Sequence, residues 1–207
     1  LVAGLDRLGG VPEMAADAAA LPSNRYQFSE GLGLPASQTA NIGVDQQVGA
    51  VRVSATYTRR LGTNQLRWRN LNAPVNGVRP DPRFANLVEV VGDAEQRVHS
   101  FGVNAALIKM DWRQTFLVVN YSFSAAKTNG TGPFGLPASG DDLSSEWGQA
   151  GPRHRAGFTA NMRPWTPFSF AVNARWMSGS PYNVTTGRDD NGDGVFNDRP
   201  VGTSRNS

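Results

Sequence analysis

Cysteine is absent from this 207-residue chain, which excludes disulfides, thiolate metal sites and cysteine nucleophiles together. Lysine and histidine are scarce: Lys109 and Lys127 are the lysines, His99 and His154 the histidines. Arginine therefore carries nearly all the positive charge in a balance of 20 basic to 17 acidic residues, a net charge of +3. The arginines are scattered along strand-like segments and form no block. Nucleic-acid binding needs a basic stripe interleaved with exposed aromatics, so nucleic acid is not expected as a partner. Long apolar runs are missing too. Runs such as Phe116–Val119 end after four residues, far short of the roughly 18–20 that a membrane-spanning helix needs. No basic n-region or apolar h-region opens the chain at Leu1. The expectation is a protein that is not exported or an internal fragment of a longer one.

Turn formers are plentiful: 23 glycines and 13 prolines accompany 39% hydrophobic and 18% charged residues. That profile favours short strands separated by many breaks. Mean hydropathy is −0.39, which at first sight describes a soluble protein. A membrane β-barrel gives the same average, because lipid-facing apolar residues alternate with polar lumen residues.

Period-2 alternation is the strongest pattern. Apolar and polar residues alternate without a break in Val51-Arg52-Val53-Ser54-Ala55-Thr56-Tyr57-Thr58. Leu117, Val119, Tyr121 and Phe123 share one face of a later run, as do Ala156, Phe158, Ala160 and Met162, and then Phe168, Phe170, Val172, Ala174 and Trp176. Such alternation marks strands with one apolar and one polar face, where a helix would space its apolar residues by three and four. Six strands are predicted at 38–48, 51–60, 98–109, 112–124, 153–163 and 167–177. Each spans roughly 10–13 residues, near the 9–11 of a tilted membrane strand, against 5–6 in soluble sheets.

Connection lengths alternate as well. Short turns are expected at Val48–Ala50, Lys109–Trp112 and Arg163–Pro167, and long connections at 61–97, 125–152 and from 178 onward. Tight periplasmic turns opposite long extracellular loops are the pattern of an outer-membrane barrel. Trp112, Trp165 and Phe168 beside the short turns, with Trp176 and Tyr182 near the opposite ends, suit two aromatic girdles; for any one of them an ordinary core position fits equally well. The segment 86–95 adds a candidate strand inside the first long connection. Residues 1–37, including Ala15–Ala20, read as a loop region with room for one short helix. Residues 38–177 read as barrel strands and loops, and 178–207 as an Asp/Asn/Gly-rich extracellular loop. The fold class expected is all-β: an antiparallel transmembrane β-barrel fragment of about six to seven strands, located in the bacterial outer membrane and in contact with its lipid.

The sharpest local motif lies in that last loop. Asp189, Asn191 and Asp193 occupy the first, third and fifth positions of a calcium-loop spacing, and Gly194 supplies the turn at the sixth. Val195 would offer a backbone carbonyl, and Asn197 or Asp198 a further oxygen. Hard oxygen donors on a tight turn suit Ca²⁺ and not Zn²⁺. Pro200 stands where an EF-hand places its bidentate Glu, so a complete EF-hand is excluded. Two readings stay open: a structural Ca²⁺ loop, or a metal-free turn in residues that favour turns anyway. No cofactor is otherwise required.

No catalytic set emerges. His154, in Pro152-Arg153-His154-Arg155, has no Ser/Asp partner at a persuasive spacing and reads as a strand-edge histidine. Asp141, Asp142 and Glu146 lie in a Gly/Ser/Pro loop, where solvated carboxylates are the default. Gly130-Thr131-Gly132 is too short for a phosphate loop and lacks a following Lys-Ser/Thr.

Several segments together resemble a known family. The run SQTANIGVDQQVGAVRVSATYTRRLG resembles barrel strands of TonB-dependent outer-membrane receptors, especially the group with an N-terminal carboxypeptidase-regulatory-like domain. LRWRNLNAPVNGVRPDPRF looks like the loop that follows in those proteins. FLVVNYSFSAAKTN, GPRHRAGFTANM and SGSPYNVTTGRDDNGDGVFNDRPVGTSRNS are similar to later hairpins and an extracellular loop; the last is the most specific. The resemblance covers roughly residues 20–207. It implies part of an energised importer: extracellular loops that capture an unidentified large or scarce ligand, a plug in the lumen, and a TonB energising complex acting through an N-terminal part. The plug, the TonB box and the final aromatic-ending strand of such receptors are not recognisable here, and six or seven strands cannot form a 22-stranded barrel. The alternative is a non-transporting surface or adhesion barrel with a structural calcium loop.

Overall fold

The computed structural model describes residues 22–109, 115–132, 134–138 and 141–206. Strands β1 (Ser23–Phe28), β2 (Ala36–Val48), β3 (Val51–Asn70), β4 (Phe84–Lys109), β5 (Thr115–Thr128), β6 (Gly148–Gln149), β7 (His154–Trp165) and β8 (Phe168–Met177) lie in it, and no helix is found among the described residues. One sheet holds them in the order β2-β3-β4-β5-β7-β8, with β1 added to β4 and β6 to β5. Every pairing is antiparallel except that of β1 with β4, which is parallel. The sheet is open among the described residues, with β2 and β8 at its edges.

Register turns the alternation of each strand into two continuous faces. Val44, Ala55, Val103, Tyr121, Ala156 and Trp176 stand opposite one another in sequence across all six strands of the path. One step along lies the row Asp45, Ser54, Asn104, Asn120, Gly157 and Arg175, on the other face. The apolar face has no protein cover: Ile42 is 69% exposed, Val172 51% and Trp176 58%. Buried hydrophobics among the described residues are only Val88, Val91, Ala94 and Ala160. An apolar surface of this extent is incompatible with water and matches the lipid-facing band of a barrel. Trp165 packs against Phe168 and Phe170 at the β7–β8 turn, with ring centroids 6.4 and 5.8 Å apart. Trp112 lies outside the described residues, as do its turn and the segment Ala15–Ala20.

Two expectations change. First, the region read as loop through residue 37 contains β1, which lies along the edge of β4 from Phe84 to Val90. Its six residues carry too little alternation to register as a strand. Second, most of the connection expected at 61–97 is strand: β3 continues to Asn70 and β4 begins at Phe84, so 86–95 is the upper half of β4. The pattern breaks there because register shifts between Gly62 and Gln65 and again between Gln65 and Leu66, and a bulge scrambles strict period 2. Residues 29–35 lead from β1 back to β2 across this hairpin, with the Gly33 carbonyl seated on Gly92. A Cβ at Gly92 would lie 2.6 Å from that oxygen, so glycine is what admits the crossing.

Candidate functional site

The Asp/Asn/Gly loop folds back on itself through its own side chains. Asp198 Oδ2 accepts from the amides of Asp190 (2.7 Å) and Asn191 (3.3 Å). Asp189 Oδ2 accepts from Gly194 N at 2.8 Å, Asn191 Oδ1 from Asp193 N at 2.9 Å, and Asp193 Oδ1 from Val195 N at 2.7 Å. Gly194 takes φ +84°, a conformation that residues with a Cβ rarely adopt. Five of the six predicted residues are thus joined in one turn, Asp189, Asn191, Asp193 and Asp198 through side chains and Val195 through its backbone amide, while the Asn197 side chain reaches out to Leu136. Burial pushes the Asp193 carboxyl above its ordinary range, aided by the Asp189 and Asp198 carboxylates and opposed by the bonds from Val195 and Asn191. Two side-chain oxygens, Asp189 Oδ1 and Asn197 Oδ1, are buried without a hydrogen-bond partner. No group of three His, Asp or Glu side chains gathers in a metal-holding arrangement among the described residues. Any cation here would lean on asparagine and backbone oxygens.

A polar cap fixes the loop against the upper sheet. Arg79 Nη2 donates to the Gly192 carbonyl at 2.8 Å, and Asn197 Nδ2 to the Leu136 carbonyl at 2.9 Å. Arg199 reaches both carboxylate oxygens of Glu146, at 2.8 and 3.1 Å. Arg205 donates to the carbonyls of Glu146 (3.1 Å) and Gly130 (2.9 Å). Burial lowers the Arg205 pKa from its usual value, as does nearby Arg199, while Glu146 opposes the shift. Glu146 is fully buried, which corrects its reading as a solvated carboxylate: 53 residues separate it from Arg199, and no local pattern signals such a partner. Asp142 is exposed, as expected, and accepts from Ser144. Asp141 is exposed too but is not solitary, since Arg67 donates to it at 2.7 Å and to Asp93 at 2.6 and 2.7 Å. Arg67 is 1% exposed and went unnoticed in the sequence, where it sits among other strand arginines.

The histidines stand on the apolar face near its upper border. Tyr57 Oη lies 2.7 Å from His99 Nδ1, and Tyr121 Oη 2.8 Å from His154 Nδ1. Each imidazole is thus tied to a phenol on the neighbouring strand and lacks the carboxylate and hydroxyl of a catalytic set. The polar face carries a shallow cleft of about 360 Å³, bordered by Asn120, Arg155, Gly157, Thr159, Asn173 and Arg175 among others. Asn173 Nδ2 donates to Thr159 Oγ1 there at 2.9 Å. Such a wall can hydrogen-bond water or polar solutes; it holds no activated nucleophile.

No protein-family model matches the chain, and no curated protein matches it. Among solved structures, the outer membrane transporter YddB from Escherichia coli superposes with a TM-score of 0.55 at 14% sequence identity. The match covers 83% of this chain and 24% of that one, so the chain spans about a quarter of the transporter's length. The fold is therefore that of an outer-membrane β-barrel segment, as the alternation and strand lengths predict.

Proposed function

We propose that the chain forms part of the barrel wall of a TonB-dependent outer-membrane transporter that imports a large or scarce substrate. The continuous apolar face across six strands carries this reading. A sheet with that face bare needs lipid, while its polar reverse suits an aqueous lumen. The fold shared with an outer membrane transporter and the resemblance of the strand and loop motifs to TonB-dependent receptors support the transport role. TonB would act through the N-terminal part of such a receptor, the polar cap over β3 and β4 would face the cell exterior, and no step requires an enzyme. A competition experiment tests this: strains lacking the full-length protein and strains lacking TonB are grown under a panel of limiting nutrients. A shared, non-additive defect on one nutrient is expected. A soluble native protein, or a defect independent of TonB, overturns it.

A structural Ca²⁺ in the 189–198 loop is a second reading, favoured by the unpartnered oxygens of Asp189 and Asn197. Its ligands would come from Asp189, Asn191, Asp193, Val195, Asn197 and Asp198, and its role would be to order the loop in a transporter or in a non-transporting surface barrel. Calorimetric titration with millimolar Ca²⁺ should release heat and raise thermal stability. Neither effect in the folded protein refutes the site.

A further inference from the structure

Above the apolar band, cations that are far apart in sequence converge on the lipid-facing side. The uppermost aromatic row on that side is Tyr57, Phe101, Phe123 and His154 in successive register. The next row brings Arg59 opposite His99, and the row beyond it Arg97 opposite Lys127. Arg59, Arg97 and Lys127 are all exposed. Together with Trp147, Arg97 and Lys127 border a cleft of about 330 Å³ whose remaining walls are His99 and Ala125. The Arg97 guanidinium stacks on the Trp147 ring, 4.5 Å from its centroid, and donates to Glu95 at 2.8 Å.

An anion would relieve the repulsion among these cations. Like charges directly opposite on neighbouring strands destabilise a sheet, and among the described residues the ion pair found in this cluster is that of Arg97 with Glu95. The Trp147 ring fixes the guanidinium so that it loses little freedom on binding. The position, immediately above an apolar and aromatic band, is where the headgroup of an outer-leaflet lipid lies when its chains cover that band.

We propose that Arg97 and Lys127, with Arg59 beside them, bind the phosphate headgroup of an anionic lipid from the outer side of the barrel. This rests on reading the apolar face as lipid-facing. The full-length protein, refolded into phosphatidylcholine vesicles with or without phosphatidic acid, tests it; heat-modifiable gel migration reports barrel folding separately, so failure of the barrel reading is seen independently. Phosphatidic acid should raise the unfolding temperature and remain bound in native mass spectrometry. Arg97→Gln combined with Lys127→Gln should weaken retention on the order of 10- to 30-fold, and exposed Lys127→Gln alone should show part of the loss should the double variant fail to fold. Inorganic phosphate added to phosphatidylcholine vesicles should not reproduce the stabilisation. Equal retention by a folded variant, no preference over phosphatidylcholine, or full replacement by inorganic phosphate overturns the proposal.

Discussion

The lower sheet and the polar cap share the two long strands β3 and β4, yet they are stabilised in opposite ways. Below Leu61, β3 and β4 present an uncovered apolar face and keep polar side chains on the reverse. Above it, they bury Arg67, Asn72, Asn86 and Glu89 under loops. On the proposed reading the lower half relies on lipid and on barrel neighbours. The cap relies on paired charges and side-chain-to-backbone hydrogen bonds, which are costly to leave half made. The two halves differ in stabilising chemistry, and the paired bulges near Gly62–Leu66 lie between the two regimes.

Glu146→Ala should have the largest effect, about 3–5 kcal/mol on the cap, because it strands the Arg199 guanidinium in a buried site. Hydrogen exchange should show the 129–153 and 178–206 loops opening while the lower strands stay protected. Val119→Arg attacks the other half: a cation on the lipid face at mid-sheet should cost about 2–4 kcal/mol in a bilayer, read by reversible unfolding into vesicles, with the cap's exchange unchanged. Arg67→Ala should cost less than Glu146→Ala in the same exchange assay, although Arg67 is itself buried. Its partners Asp93 and Asp141 have side chains 44% and 58% exposed and can rehydrate when the arginine is gone.

The smallest effect concerns Asp81 at the tip of the β3–β4 hairpin. Side-chain and backbone hydrogen bonds from Arg83 lower its pKa from 3.8 to about 2. A depressed folded-state pKa adds stability that is complete above about pH 4 and lost as pH falls through about 2. Arg83 is exposed and Asp81 partly so, so solvent screens the pair and the global stability change should be slight. An NMR titration should place the carboxyl midpoint near 2, and Arg83→Gln should return it toward 3.8.

The alternation in 51–58, 117–123 and 168–176 was enough to place strands and assign their faces, and strand length with the rhythm of short and long connections pointed to a barrel. Side-chain direction in a strand depends only on the chain's own period of two. The Asp/Asn/Gly turn was legible for the same reason, since its bonds join residues no more than eight apart. What lay hidden was non-local. The burial of Glu146 depends on Arg199, that of Arg67 on Asp93 and Asp141, and β1 becomes a strand by lying along β4.

The cation row makes the same point most directly. In the sequence Arg59, Arg97 and Lys127 are isolated charges in separate strands, and nothing about any one of them suggests a cluster. Register, set by the turns between strands and by the matching of apolar faces, decides which residues stand opposite each other. The sequence by itself therefore determined the strands, their two faces and the local turn. Tertiary structure alone decided which charges meet, because cross-strand neighbours are chosen by pairing over long sequence separations and not by anything written within one strand.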